Sequence, residues 1–112
     1  MNKLHLDSSW TIFLDRDGVI NKKIDNDYVK AWDDFSFTNK ALEAIAVLSK
    51  QFRKILVVTN QRGVGKGLMN EDELIIIHKE MCKEIKAESG RIDEIYYCTC
   101  LLYTSDAADE ED

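Results

Sequence analysis

Two carboxylates stand two residues apart in Asp15-Arg16-Asp17-Gly18, directly after the apolar run WTIFLD that ends on Asp15. At the end of a buried strand such a pair can point into one site. There it can hold a hard cation through oxygen ligands while one carboxylate attacks and the other moves a proton. Spacing alone does not carry that reading, because Asp25-Asn26-Asp27 repeats the pattern in a polar run with no strand before it, where a turn is the simpler account. An EF-hand loop is excluded. Counting from Asp15, Val19 takes the fifth position, which needs an oxygen ligand, and Gly18 falls at the fourth instead of the sixth.

A second constellation follows the β-branched run KILVVT: Thr59-Asn60-Gln61-Arg62-Gly63-Val64-Gly65-Lys66-Gly67. The three glycines let a backbone approach a ligand closely, and a hydroxyl, two amides and two cations are the donors an anion wants. The segment reads as a phosphate cradle; the competing account is a Gly-rich turn leading into the next helix. It matches neither common nucleotide signature. A P-loop ending at Gly65-Lys66 needs Gly at Asn60 and Ser or Thr at Gly67, and G-x-G-x-x-G from Gly63 needs Gly at Leu68.

These groups need elements to position them. Residues 10–15, 54–59 and 92–98 (IDEIYYC, after the turn signal Ser89-Gly90) read as strands. Between the first two, Ala41, Ile45, Leu48 and Phe52 recur at helical spacing behind Thr38-Asn39, a candidate N-cap. Between the last two, Asn70-x-x-Glu73 resembles a capping box opening a helix with the face Leu74, Ile77, Met81 and Ile85. The β-α-β-α-β order predicts an α/β fold, a Rossmann-like parallel sheet with helices on its faces and its working groups at the strands' carboxyl ends: Asp15, Thr59 and Cys98. Residues 16–39 exceed an ordinary βα connection of about two to six residues. They carry Tyr28, Trp32, Phe35 and Phe37 among charges, and read as an ordered loop or small flap beside the site; the competing account is a mobile surface loop.

The chain has 112 residues, 45% of them hydrophobic, which suits one small domain. Its formal charge of −6, from 15 Lys+Arg against 21 Asp+Glu, offers no polyanion-binding surface, so nucleic acid is not an expected partner. No apolar run is long enough to span a bilayer and the start lacks a signal-peptide h-region, so no membrane is expected and a cytoplasmic, monomeric protein is. Cys82, Cys98 and Cys100 read as thiols or metal ligands, not a disulfide framework. The run from Cys100 to Asp112, CLLYTSDAADEED, holds five of the acids and no base, leaving 15 basic and 16 acidic residues in 1–99. It can be a solvated acidic tail. A sharper reading is the conceptual translation of a sequencing adapter, which makes 1–99 the amino-terminal part of a domain truncated after its third strand and 100–112 a foreign end.

FLDRDGVIN and VVTNQRGVGKG together resemble the first two motifs of the haloacid dehalogenase superfamily of aspartate-nucleophile phosphatases. The Arg between the aspartates, the following Val-Ile-Asn, Tyr28-Val29, Phe35, the T-N-Q-x-G-x-x-x-G string and I-Y-Y-C are similar to the branch acting on heptose bisphosphate or histidinol phosphate. The resemblance spans about residues 10–99. It implies Mg²⁺-dependent removal of the 7-phosphate of D-glycero-D-manno-heptose 1,7-bisphosphate through an aspartyl phosphate. Asp15 would be the nucleophile, Asp17 the general acid/base, and Thr59, Asn60 and Gln61 would belong to the phosphate-binding string. Asp15 and Asp17, the latter through its backbone carbonyl, would bind Mg²⁺; Asp25, Asn26, Asp27, Tyr28 and Arg62 would lie near the sugar or second phosphate.

The third motif, a basic residue, and the fourth, an acidic Mg²⁺ ligand, would follow the third strand, where the tail begins instead; Asp106 and Asp109 have no apolar strand before them and do not replace the acid. The chain as written is therefore expected to be nearly inactive. Zinc, held in some members by Cys-x-His and a later Cys-x-Cys, is not expected, since only Cys98 fits. His78 and Cys82 read as packing or surface residues and His5 as part of a frayed terminus. Three alternatives stand beside the heptose reading: a histidinol-phosphate phosphatase, a polynucleotide 3'-phosphatase, disfavoured by the near-neutral body, and a non-catalytic phosphoacceptor domain, whose phosphorylated Asp would sit on a later strand than its metal-binding acids.

Overall fold

The computed structural model describes residues 9–99, so the acidic tail, Cys100, Asp106, Asp109 and His5 lie outside the described residues. Three strands, β1 (Thr11–Leu14), β2 (Lys54–Asn60) and β3 (Glu94–Cys98), form one parallel sheet in the order β1-β2-β3. The register pairs Leu14 with Val57 and Asn60 with Cys98, which brings the carboxyl ends of the strands to one side of the molecule. All three expected strands are present, β3 starting two residues later than the IDEIYYC run.

The helices are α1 (Ala41–Gln51), a single turn α2 (Arg62–Gly65) and α3 (Glu71–Ala87). α3 begins as its sequence predicts: Asn70 Oδ1 accepts from the Glu73 N–H at 2.8 Å, and Glu73 Oε1 accepts from the Asn70 N–H at 2.8 Å. Such caps are worth about 1 kcal/mol. Leu74, Ile77, Met81 and Ile85 are all 0% exposed and form the centre of the core, each contributing roughly 1.5–3 kcal/mol by burial. α1 departs from expectation at its start. Its N-cap is Lys40, in the left-handed region (φ 65°) and without a side-chain cap. Thr38 does not cap because its hydroxyl donates to the Val19 carbonyl at 2.7 Å, tying down the preceding loop instead.

α1 and α3 touch each other, and the core joins them to Val57 and to the inward side chains of Leu14, Ile95 and Tyr97. Both long helices therefore cover one face of the sheet. On the opposite face Phe13, Val58 and Tyr96 stand 60%, 50% and 54% exposed. The 16–39 connection packs onto the core. Trp32, Phe35 and Phe37 form an aromatic cluster, with Trp32 stacked on Phe35 at 4.8 Å, and Ile20 and Val29 are buried.

Candidate active site

β1 ends at Leu14, so Asp15 is the first residue past the sheet. The next turn is closed by the Arg16 carbonyl, which accepts from the N–H groups of Val19, Ile20 and Asn21 at 3.1, 2.8 and 3.1 Å. Gly18 makes that turn with φ 90°, a region open to glycine and costly for other residues. The turn returns Asn21 to the aspartates. Asn21 Nδ2 donates to Asp17 Oδ1 at 2.9 Å, and Arg16 donates to the same oxygen from Nη2 at 2.8 Å and from Nε at 3.3 Å.

β2 delivers the second half. Thr59 points inward and is 4% exposed, and Gln61 is 2% exposed. The Gln61 amide Nε2 donates to Thr59 Oγ1 at 2.9 Å and to Asp17 Oδ2 at 3.2 Å. A hydroxyl that accepts from Gln61 keeps its own hydrogen available for an anion. The glycine-rich segment is the single turn α2, and it packs close to the flap: a Cβ at Gly63 would stand 3.2 Å from Tyr28 Cγ. Lys66 Nζ lies 5.3 Å from the centre of the Tyr28 ring, a cation–π distance.

A cavity of about 780 Å³ opens at these strand ends, lined by Asp15, Asp17, Asn26, Asp27, Tyr28, Thr59, Asn60 and Arg62, together with Lys23 and Lys66. Eight of the ten residues singled out from sequence thus converge on one space. Gln61 is absent from the lining and acts beneath it, through its bonds to Thr59 and Asp17. Asp25 is exposed and outside the lining. Asp27 is turned to its own loop: it accepts from the Tyr28 N–H at 2.8 Å and pairs with Lys30 at 3.2 Å, and these contacts hold its carboxyl below the usual range.

No family model matches the chain. A curated relative from Mycobacterium tuberculosis, named D-glycero-alpha-D-manno-heptose-1,7-bisphosphate 7-phosphatase, is 39% identical over 89 residues, 80% of this chain and 47% of the relative. One from Photorhabdus laumondii, named as the 7-phosphatase for the beta anomer, is 36% identical over 100 residues, 89% of this chain and 50% of its own. The crystal structure of D,D-heptose 1.7-bisphosphate phosphatase from B. bronchiseptica, complexed with magnesium and phosphate, superposes with a TM-score of 0.77 at 34% identity, covering 81% of this chain and 50% of that one. The chain shares its fold with the haloacid dehalogenase-like phosphatases among solved structures. It spans about half the length of the curated relatives it matches.

The cavity at the strand ends fits a hard cation better than a soft one. Its acidic donors at the cavity are carboxylates, and among the described residues no three His, Cys, Asp or Glu side chains gather to cage a metal. Mg²⁺ suits such a site because it binds one or two protein oxygens and completes its shell with water and phosphate oxygens. The Asp17 carboxylate already accepts four hydrogen bonds, so Asp15 and the Asp17 backbone carbonyl are the better ligands. Cys98 is disulfide-bonded, which corrects its reading as a thiol or metal ligand, since a bonded sulfur offers no thiolate; Cys82 is a free thiol whose pKa burial raises. Sequence reasoning missed two residues. Lys23 reaches the cavity from a loop whose path leaves no local signal. His78, read as packing or surface, is 6% exposed and makes a polar contact, its Nε2 lying 3.2 Å from Arg16 Nη1.

Proposed function

We propose that this chain carries the nucleophile, acid/base and phosphate cradle of a Mg²⁺-dependent phosphatase that removes the 7-phosphate of D-glycero-D-manno-heptose 1,7-bisphosphate. The observation that carries the reading is the convergence of Asp15, Asp17, Thr59 and Asn60 on one cavity at the ends of β1 and β2. An Asp15 oxygen attacks phosphorus in line with the ester oxygen, forming the aspartyl phosphate as the P–O bond to the sugar breaks. Asp17 gives its proton to the departing sugar oxygen, then takes one from the water that hydrolyses the aspartyl phosphate. The Thr59 hydroxyl and the Asn60 amide hold phosphoryl oxygens, and Lys23, Arg62 and Lys66 give the cavity positive charge for the sugar's second phosphate. Mg²⁺, held by Asp15 and the Asp17 carbonyl, would neutralise charge on the phosphoryl group.

The relatives' names favour heptose over histidinol phosphate, and they include both anomers. The deciding assay uses a protein of the relatives' full length that carries this chain. With Mg²⁺ it should release one phosphate from heptose 1,7-bisphosphate much faster than from histidinol phosphate, and EDTA should stop it. Preference for histidinol phosphate or for a DNA 3'-phosphate would overturn the substrate assignment, and no release from any of the three would leave the phosphoacceptor reading in its place.

A further inference from the structure

Arg16 is 0% exposed, and a buried guanidinium requires partners for its N–H groups. Besides its bonds to Asp17, its Nε donates to Asn21 Oδ1 at 3.0 Å, its Cζ lies 5.7 Å from the centre of the Phe35 ring, and its Nη1 lies 3.2 Å from His78 Nε2. A guanidinium has hydrogens on every nitrogen and accepts nothing. The His78 nitrogen must therefore be the acceptor, which places the imidazole proton on Nδ1 and makes the ring neutral. We infer that Arg16 is a positioning residue for Asp17, held in place by neutral His78 on α3. With Asn21, the anchored guanidinium fixes Asp17 Oδ1 and leaves Oδ2 as the oxygen that meets Gln61. An aspartate has two freely turning side-chain bonds, and proton transfer needs one orientation. Burial, reinforced by the Arg16 charge, pushes the His78 pKa down to about 4, which keeps the acceptor lone pair present at neutral pH.

What Asp17 does rests on the phosphatase reading; how it is held does not. The experiment accordingly uses the 112-residue chain, ¹⁵N-labelled, without substrate or metal. Long-range ¹H–¹⁵N correlations at pH 7 should show His78 protonated at Nδ1 and bare at Nε2, and a proton on Nε2 would overturn the inference. His78→Gln keeps an oxygen that can accept from Arg16, whereas His78→Leu does not. The Leu variant should speed hydrogen exchange at Arg16 Nε about tenfold, the order expected for one lost charge-assisted hydrogen bond. It should also shift the side-chain amide signals of Asn21 and Gln61, which report on the two Asp17 oxygens. The Gln variant should hold both near their starting values. Equal behaviour of the two variants would show a merely structural contact. If the Leu variant does not fold, displaced amide signals in the Gln variant would count against the inference as firmly, and unmoved ones for it. Phosphate release tests the phosphatase reading separately, so either can fail without the other.

Discussion

Gln61 Nε2 lies 3.2 Å from Asp17 Oδ2, a bond that joins the end of β2 to the end of β1 across 44 residues of chain. The same amide nitrogen donates to Thr59 Oγ1, so one side chain orients both the proposed acid/base carboxylate and the hydroxyl proposed to bind phosphate. In a protein of the relatives' full length that carries this chain, and on the proposed phosphatase reading, Gln61→Leu should lower kcat by about tenfold while KM changes little. The lost bonds orient reacting groups more than they hold substrate. Steady-state phosphate release at several substrate concentrations separates the two parameters. A raised KM with unchanged kcat would place Gln61 in substrate binding instead.

The two D-x-D pairs make an internal comparison. Asp15→Asn should reduce turnover by about 10⁴-fold or more, since an amide of the same shape cannot form the acyl phosphate. Asp17→Asn should be nearly as severe. Asp25→Asn, at an exposed residue outside the cavity lining, should stay within about twofold of wild type, a surface-substitution effect. Parallel assays of the three variants decide it, and a larger loss at Asp25 than at Asp17 would break the link between strand ends and chemistry.

Much of this arrangement was legible in the chain because the strands and α3 announce themselves locally. Alternating or continuous apolar runs mark β1 and β2, and Asn70 with Glu73 marks the start of α3 within four residues. The D-x-D and T-N-Q motifs inherit their positions from those strand ends. What stayed hidden depends on contacts distant in sequence. His78 meets Arg16 across 62 residues, and nothing in the local pattern of α3 distinguishes a histidine that packs from one that accepts a guanidinium proton. The start of α1 was misplaced for a related reason: Thr38 has the chemistry of a cap, but its hydroxyl is drawn to Val19, 19 residues earlier. That both long helices share one sheet face follows from handedness of successive crossovers in one direction, which strand order reveals and sequence alone does not.

His78 also predicts a pH dependence of stability. Its pKa is about 4 in the folded chain against 6.5 for an unperturbed imidazole, through desolvation first and the Arg16 charge second, with Asp17 opposing. Between those values the unfolded chain binds a proton that the folded chain does not, so stability falls as pH drops from about 6.5 toward 4 and the effect levels off below. The full effect is on the order of 3 kcal/mol. Urea unfolding at pH 7.5 and pH 4.5 should show a larger loss for wild type than for His78→Gln, which has no proton to gain. Carboxylates titrating in the same interval act on both proteins and cancel in the comparison. Equal losses would mean that His78 does not control the acid limb.

The sheet face opposite the helices leads to the last prediction. Phe13, Val58 and Tyr96 are each at least half exposed and come from three adjacent strands, with Val58 and Tyr96 paired directly in the register. Directly opposed side chains such as Val58 and Tyr96 lie about 5 Å apart. Phe13, opposite Leu56, is diagonal to Val58 at about 7–8 Å, within reach of an aromatic ring, so these three form a neighbouring group and not isolated apolar spots. β1 and β3 are also the edges of the sheet among the described residues, and unpaired strand edges next to an apolar surface favour association between copies. The 112-residue chain should therefore bind a hydrophobic dye at neutral pH and sediment with a concentration-dependent mass. Replacing Val58 and Tyr96 by Thr puts a β-branched, strand-favouring side chain at both positions while removing much of the apolar area. The double variant should lose most of the dye signal and sediment nearer the monomer, with a urea midpoint little changed, because neither residue belongs to the helix-covered core. A chain that is monomeric at high concentration and silent to the dye would show that this surface is not sticky, whatever its composition.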